Sequence, residues 1–398
     1  METATPGASR PNRAVVDVQS KATSRLLFVD NIRVLLTILV LLFHTMIIYA
    51  GTGSWYYTEG REDFITGALG AWFLTVNQAY FMGLFLLISA YFVPGSHDRK
   101  GAGRFLKDRL IRLGIPLALY SWIIRPVLVY VDPFRWQGPR PPFWDYFPGQ
   151  YFQHNALIGA GPLWFIETLL IFSLLYVLWQ LLARPRPAKP AVETRFPVSG
   201  SIALFALLLG VAGFVVRLWL PIMWNFEPLN LQFPFFAQYI GLFIVGLIAY
   251  RRNWLLGLPK TTGRLWLGIG VLMILLFWPL AVAGGMDKGI ALFAGGWHWQ
   301  ALAYALWESF LCLGMCIGLI YLFRRYANRQ GRLVAFLSPN AYTAYLIHGV
   351  VITALAYAAR DVALYPLLKF GLVALVAIPL CFGLSSLIRK LPYTDRVL

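Results

Sequence analysis

The chain consists of long apolar segments separated by shorter polar ones. Ten segments each hold about twenty predominantly apolar residues, enough for an α-helix to cross the roughly 30 Å hydrocarbon core of a membrane. This pattern predicts an all-α fold, a polytopic bundle of about ten transmembrane helices. The predicted spans cover residues 27–49, 69–93, 112–131, 162–182, 201–221, 233–250, 265–283, 300–323, 340–359 and 366–388.

The polar segments define the organisation around these spans. Residues 1–26 contain Pro and Ser but no apolar core of a signal peptide, which predicts a disordered cytoplasmic segment. Residues 27–390 are predicted to form one integral membrane domain, with a cytoplasmic tail at 391–398. The longest loop, 132–161, is too rich in proline and aromatic residues to be a flexible linker.

The positive charges are distributed unevenly between the two sets of loops. Of 34 Lys and Arg residues, 25 lie in the N-terminal segment, the tail and alternate loops, five lie in the remaining loops, and four lie within spans. Because cytoplasmic loops are enriched in Lys and Arg, we predict a multi-pass inner-membrane protein with both termini in the cytoplasm. The net charge of +17 then reflects orientation in the lipid bilayer, and no nucleic-acid partner is expected.

Two ionisable residues in the first span share one helix face. Arg33 and His44 are eleven residues apart, about three helical turns, so their side chains align with about 16 Å between them. Asp30, one turn before Arg33, is placed to form an interfacial ion pair with it. His44 lies too deep to reach the interface and can act as a base at neutral pH, which makes it the leading candidate for a functional residue.

Further polar residues are predicted at a similar depth in other spans. Glu167 lies about 8 Å and Glu308 about 12 Å from the outer ends of their spans, close to the level of His44. Each of these residues alone is as often a hydrogen-bonded structural residue as a functional one. Together they predict a site that faces the outer side of the membrane. His348 is expected either to belong to this site or to be a core histidine bonded to a neighbouring carbonyl. The remaining predicted lining residues are Asn77, Gln78, Arg125 and Arg217.

The cysteines do not predict a metal site. Cys312, Cys316 and Cys381 all fall in spans, where a buried thiol is the usual interpretation. The first two are four residues apart, but a single CxxxC pair without nearby His or acidic residues is a weak metal signal.

Several motifs resemble the acyltransferase-3 family of integral membrane proteins. The stretch RLLFVDNIRVLLTILVLLFH, with Asp30, Arg33 and His44, resembles the family's first span, whose hallmark is Arg and His separated by ten residues. The loop after the second span resembles the family's Arg-x-x-Arg motif at Arg109 and Arg112. The segments GPLWFIETLLIFSLLY, FFAQYIGLFIVGLIAYRRNW and SPNAYTAYLIHGVVI follow in the family's order. Here Gly-Pro precedes the Leu-Trp-Phe motif in place of the His of some relatives, so no role of that His is carried over.

The resemblance implies transfer of an acyl group from cytoplasmic acyl-CoA to a hydroxyl of a glycan or lipid-linked sugar. Acyl-CoA is then a co-substrate, the glycan or glycolipid is the acceptor, and no permanently bound cofactor is expected. His44 suits the role of base, with Glu167 or Glu308 orienting its ring. A route in which His44 itself carries the acyl group stays open.

The donor needs cationic partners for its phosphates. The resemblance assigns Arg109 and Arg112 to this role, with Arg33 as a further partner. The acyl group, acetyl or succinyl, is undetermined, although a dianionic donor favours an additional Arg such as Arg125 or Arg217. The alternative function is a secondary transporter of a small polar or anionic solute, which predicts internal repeats and broken helices around a midplane site. Neither feature is evident in the sequence.

Overall fold

The computed structural model describes residues 26–59, 63–132, 136, 138–154, 159–183, 195–226, 229–392, 394 and 397–398. In this part of the chain ten helices are long and apolar enough to cross a membrane, and no β-strand is present, which confirms the predicted all-α class. The predicted disordered segment, apart from residue 26, lies outside the described residues. The helices are α1 Leu27–Ala50, α2 Phe64–Lys100, α3 Ala102–Val131, α4 Gly161–Ala183, α5 Ser199–Arg217, α6 Phe233–Arg251, α7 Lys260–Ala283, α8 Trp299–Tyr326, α9 Arg332–Ala358 and α10 Pro366–Ile388.

The helices differ from the predicted spans mainly at their ends. The largest extensions are in α2 and α3, which continue into the polar segment between them and meet at Gly101. Apolar length marks only the part of a helix that lies in hydrocarbon, whereas the backbone hydrogen bonds continue through the interface. Helix α2 also changes direction twice, between Gln78 and Phe81 and at Phe92.

Helix α1 lies against four other long helices and so carries its residues into the middle of the bundle. It packs on α2, α8, α9 and α10, while α8 also contacts α5 and α7. Close contact between α7 and α8 depends on glycine, because a Cβ on Gly314 would lie 2.6 Å from the Cα of Gly270. Such small residues let helix backbones approach in lipid, where apolar side chains gain little from burial.

Helix α3 departs from regular α-helical geometry. It contains two π-helical turns, Leu110–Gly114 and Tyr120–Ile124, on either side of an α-helical turn at Ile115–Leu119. A π-turn accommodates one extra residue and rotates the side chains that follow it. The two turns therefore set the directions in which the residues after them, among them Arg125, project.

Short helices occupy the connections between the long ones. The long loop after α3 forms Phe143–Asp145, Tyr146–Gln150 and Tyr151–His154, with Tyr146 and Tyr151 buried. This agrees with the proline-rich and aromatic sequence of the loop. Further short elements are Trp254–Gly257, Met286–Lys288 and Ala291–Ala294. We call the end of the bundle where α1 begins the basic end, and the end where α1 finishes the distal end.

Candidate active site

Two histidines from distant parts of the sequence form a hydrogen bond inside the bundle. Nδ1 of His44 on α1 lies 3.0 Å from Nε2 of His348 on α9. The other ring nitrogen of His348 is bonded to the carbonyl oxygen of Tyr345, so it must carry hydrogen. Nε2 of neutral His348 is then an acceptor, and Nδ1 of His44 is the donor. This tautomer leaves Nε2 of His44 unprotonated, which is the form that a base requires.

Aromatic rings enclose the His44 imidazole. The indole of Trp55 stacks on it with ring centroids 4.4 Å apart, and Phe43 makes an edge contact at 5.5 Å. Trp55 is held in turn because its Nε1 donates to Thr353 Oγ1 at 3.0 Å, and that hydroxyl donates to the Gly349 carbonyl. His44 therefore faces protein rather than lipid, and it keeps some accessible surface.

The expected contact between a carboxyl group and His44 is not formed. Glu308 is paired with Arg217 at 2.6 Å, and both carboxyl oxygens of Glu167 lack a hydrogen-bond partner among the described residues. The sequence correctly suggests a common depth, but depth does not determine which way a side chain projects around its helix. The expected bond was direct or through one water; neither carboxyl group is bonded directly to the ring, and His348 is the partner of His44 Nδ1.

Arg217 and Glu308 form a separate buried ion pair between α5 and α8. Both side chains are almost fully buried, and Arg217 Nε also donates to the Pro234 carbonyl at 3.2 Å. The guanidinium lies over the rings of Phe235 and Tyr304, with its Cζ 5.0 and 5.5 Å from their centroids. The carboxylate neutralises the Arg217 charge inside the bundle, while Arg217 Nη1 and Glu308 Oε1 have no hydrogen-bond partner among the described residues.

Asn77 and Gln78, predicted to line the site, stabilise the break in α2. The Asn77 amide donates to the Phe73 carbonyl and accepts from the Tyr80 hydroxyl, which satisfies both ends of the side chain. Gln78 Nε2 donates to the Tyr239 hydroxyl on α6 at 3.2 Å. Neither side chain is hydrogen-bonded to His44 in the described structure.

Arg125 lies in a cluster of tyrosine hydroxyls. Its Nη1 donates to the Tyr151 hydroxyl at 3.1 Å, and its charge lies near the Tyr56 hydroxyl. The hydroxyls of Tyr56 and Tyr120 are 2.7 Å apart. The Tyr120 hydroxyl faces α9 at Gly349, the residue after His348, where an added Cβ would lie 3.4 Å from it. The Tyr56 ring lies 5.3 Å from that of Trp55, which stacks on His44. Arg125 is thus part of the same neighbourhood as His44.

The three arginines predicted to bind the donor come together at the basic end. Arg33 forms an ion pair with Asp30 at 3.5 Å and lies over the Phe92 ring, with its Cζ 4.9 Å from the centroid. Arg109 is close enough to both Arg33 and Arg112 to be repelled by their charges. A hydrogen bond from the Tyr342 hydroxyl to the Arg112 carbonyl ties α3 to α9 at this point. Like charges placed side by side favour binding of an anion.

Aromatic residues around the site were missed at the level of sequence. Four aromatic residues lie around the histidine pair and Arg125: Trp55, Tyr56, Tyr120 and Tyr345. Aromatic rings with polar atoms are common at membrane interfaces, so these four do not stand out in a chain with 16% aromatic residues. The only available signal was the Trp-Tyr-Tyr run immediately after the first span.

Within the described residues no group of three His, Cys, Asp or Glu side chains is arranged to hold a metal ion. The Cys312 and Cys316 sulfurs are 4.0 Å apart and buried. Their surroundings are those of packed core thiols.

Comparisons with known proteins agree with the motifs. The family profile described as acyltransferase domain, from the acyltransferase-3 family, matches residues 26–386. Glucans biosynthesis protein C of Salmonella heidelberg is 27% identical over 241 residues, which is 56% of this chain and 58% of that protein. The proteins of the same name from Salmonella schwarzengrund and Salmonella paratyphi A are 26% identical over the same shares. The alignment thus spans less than two thirds of these relatives. No solved structure matches the chain.

Proposed function

Because this chain belongs to the acyltransferase-3 family, we propose that it moves an acyl group from cytoplasmic acyl-CoA to a hydroxyl of a glycan or lipid-linked sugar. The hydrogen bond between His44 and His348 is the observation that carries this proposal. It supports the proposal because it would orient a base among the ten membrane-spanning helices of the described residues. The glycan acceptor is supported by relatives named for glucan biosynthesis.

In the proposed reaction His44 Nε2 takes the proton of the acceptor hydroxyl. The resulting alkoxide attacks the thioester carbonyl, the carbon–sulfur bond breaks, and the thiolate of coenzyme A receives the proton back from His44. His348 stabilises the transient imidazolium because its Nε2 continues to accept from His44 Nδ1. Its own Nδ1 is tied to the Tyr345 carbonyl, so the ring is held in this orientation.

A covalent variant of this mechanism uses the same nitrogen. His44 Nε2 attacks the thioester, the carbon–sulfur bond breaks and coenzyme A leaves as the thiolate. The acceptor hydroxyl then attacks the acyl-imidazole, the carbon–nitrogen bond breaks, and the hydroxyl proton passes to the thiolate. Both routes need an unprotonated Nε2 and a partner on Nδ1. The hydrogen-bond geometry therefore supports a central role for His44 in either case.

The donor is proposed to bind at the basic end, through Arg33, Arg109 and Arg112. Guanidinium groups pair well with phosphate, and coenzyme A carries several phosphate charges. Helix α1 links the two regions, since Arg33 and His44 lie on one face about 16 Å apart. The thioester arm would extend along α1 from the basic end toward His44. We place the basic end in the cytoplasm, where the donor is made.

Turnover of the purified protein in lipid nanodiscs tests the proposal. Release of coenzyme A thiol from acyl-CoA in the presence of a glycan acceptor should fall by about 10²–10⁴-fold in His44→Ala, the range for loss of a positioned base. His298→Ala is the matched control, because His298 is exposed at the start of α8. If the His44→Ala protein turns over acyl-CoA at a rate within about twofold of that of the His298→Ala control, the proposed role of His44 is refuted.

A further inference from the structure

Arg125 is a cation inside the bundle for which the described residues provide no carboxylate. Its Nη1 donates to the Tyr151 hydroxyl, the Tyr56 hydroxyl lies near its charge, and no ion pair joins it to any Asp or Glu of the described chain. By contrast, Arg217 on α5 and Lys369 on α10 are each paired with a glutamate at 2.6 and 2.5 Å. Buried charges in proteins are normally paired, so an unpaired one points to a ligand.

The cluster around Arg125 contains more hydrogen-bond donors than acceptors. A guanidinium has five N–H groups, and the bond to Tyr151 leaves most of them without an acceptor among the described residues. The Tyr151 hydroxyl donates its hydrogen to the Ser121 carbonyl. The hydroxyls of Tyr56 and Tyr120 share one hydrogen bond, in which only one of them donates, so one hydroxyl hydrogen of that pair is left over. The missing partner is a group that accepts several hydrogen bonds and carries negative charge.

The position of the cluster connects it to the reaction. The Tyr120 hydroxyl would lie 3.4 Å from a Cβ on Gly349, immediately after His348. Arg125 is six residues before the end of α3, as His44 is six residues before the end of α1. Arg125 also keeps some accessible surface, whereas Tyr120 and Tyr151 are fully buried. A ligand group bound to Arg125 would therefore lie beside the acyl-transfer centre.

We propose that Arg125, with the hydroxyls of Tyr56 and Tyr120, is a subsite for an oxyanion of the substrate, a carboxylate or a phosphate, and that Tyr151 holds the guanidinium in place. This inference rests on the proposed acyl-transfer function and specifies the charge of one substrate. The oxyanion belongs either to an acyl group with a terminal carboxylate or to a phosphate on a lipid-linked acceptor. Both groups accept several hydrogen bonds from a guanidinium and neighbouring hydroxyls.

Two variants test the subsite in different ways. Arg125→Gln removes the charge. Gly159→Ala keeps the charge but displaces it, because a Cβ on Gly159 would lie 1.8 Å from Arg125 Nη1. Gly149→Ala is the matched control, since Gly149 is in the same loop and an added Cβ has no neighbour within 4 Å. The full-length protein in nanodiscs is used throughout.

The kinetic experiment compares charged and neutral substrates of the same size. Donors are succinyl-CoA and butyryl-CoA, and acceptors are a sugar on a lipid phosphate and the same sugar on a neutral alkyl chain. We expect Arg125→Gln and Gly159→Ala to raise KM at least about tenfold for one charged substrate and less than twofold for its neutral counterpart. A selective effect on succinyl-CoA identifies a carboxylate, and one on the lipid phosphate identifies a phosphate. Equal effects on charged and neutral substrates would overturn the subsite.

A binding measurement separates this inference from the proposed function. Succinate or inorganic phosphate should raise the thermal unfolding temperature of the wild-type protein and of Gly149→Ala, but not that of Arg125→Gln. This result would support the subsite even if acyl-CoA is not turned over. If neither anion stabilises the wild-type protein more than Arg125→Gln, the subsite is refuted, whatever the activity of the His44 variants.

Discussion

Lys369 Nζ lies 2.5 Å from the Oε1 atom of Glu59, and both side chains are largely buried. This ion pair joins the start of α10 to the loop that follows α1. The same loop carries Trp55, whose ring stacks on His44. The pair therefore tethers the loop that carries Trp55, and the backbone N–H of the same Glu59 donates to the Ile48 carbonyl near the end of α1.

We predict that breaking this pair from one side destabilises the protein more than removing both charges. Lys369→Met leaves Glu59 buried without a cation, which typically costs about 3–5 kcal/mol, whereas Lys369→Met combined with Glu59→Gln leaves no unpaired charge. Thermal unfolding in nanodiscs should show a lower midpoint for the single variant than for the double variant. Equal midpoints would show that the pair does not tether the loop.

We predict that His348 acts as a positioning residue for His44. His348→Ala removes the acceptor for His44 Nδ1, so kcat should fall by about tenfold or more while the KM for acyl-CoA stays unchanged, because the donor arginines are at the other end of the bundle. The pH profile of kcat should change as well, because the N–H at His44 Nδ1 loses its hydrogen-bond acceptor. A variant with altered KM but unaltered kcat and pH profile would contradict this role.

Arg109 and Arg112 are predicted to bind the donor. Substituting both by Ala should raise the KM for acyl-CoA by about tenfold or more, because each charge-assisted hydrogen bond to phosphate contributes about 1.5–3 kcal/mol. Arg104→Ala is the control, as Arg104 is exposed on the preceding turn. If the double variant inserts normally and binds acyl-CoA as tightly as the control, the two arginines only set the orientation of the chain.

The Arg217–Glu308 pair provides a test of the catalytic role that the sequence suggested for Glu308. Glu308→Gln keeps a hydrogen-bond acceptor for Arg217 and removes the negative charge, so we expect lower thermal stability but turnover within about tenfold of wild type. A loss as large as that of His44→Ala, in a protein that remains folded, would restore Glu308 to the mechanism. Glu167→Gln is the corresponding test for Glu167, the other residue whose carboxyl group was predicted to orient the His44 ring.

Both termini are predicted to lie in the cytoplasm, because 25 of the 34 Lys and Arg residues occupy one set of segments. A reporter that is active only in the cytoplasm should work when fused after Leu398, and a periplasmic reporter should work in the loop after α1. Activity of the periplasmic reporter at the C-terminus would show that the orientation is opposite to the predicted one. The proposed donor site would then lie outside the cytoplasm.

The sequence by itself determined the number of helices, their approximate ends and the height of each ionisable residue. These properties are local: apolar length follows from composition, and height follows from a rise of 1.5 Å per residue. His44 and Arg33 could be placed on one face for the same reason. The clustering of Arg33, Arg109 and Arg112 could also be anticipated, since all three lie near the basic ends of neighbouring spans.

Only the tertiary structure decided which residues face one another. His44 and His348 are 304 positions apart, and whether a histidine or a glutamate meets His44 depends on how each helix is rotated in the bundle. That rotation is set by side-chain packing, by close glycine contacts and, in α3, by two π-helical turns that the sequence does not reveal. For the same reason, sequence alone could not show that Arg217 is paired with a glutamate while Arg125 is surrounded by hydroxyls.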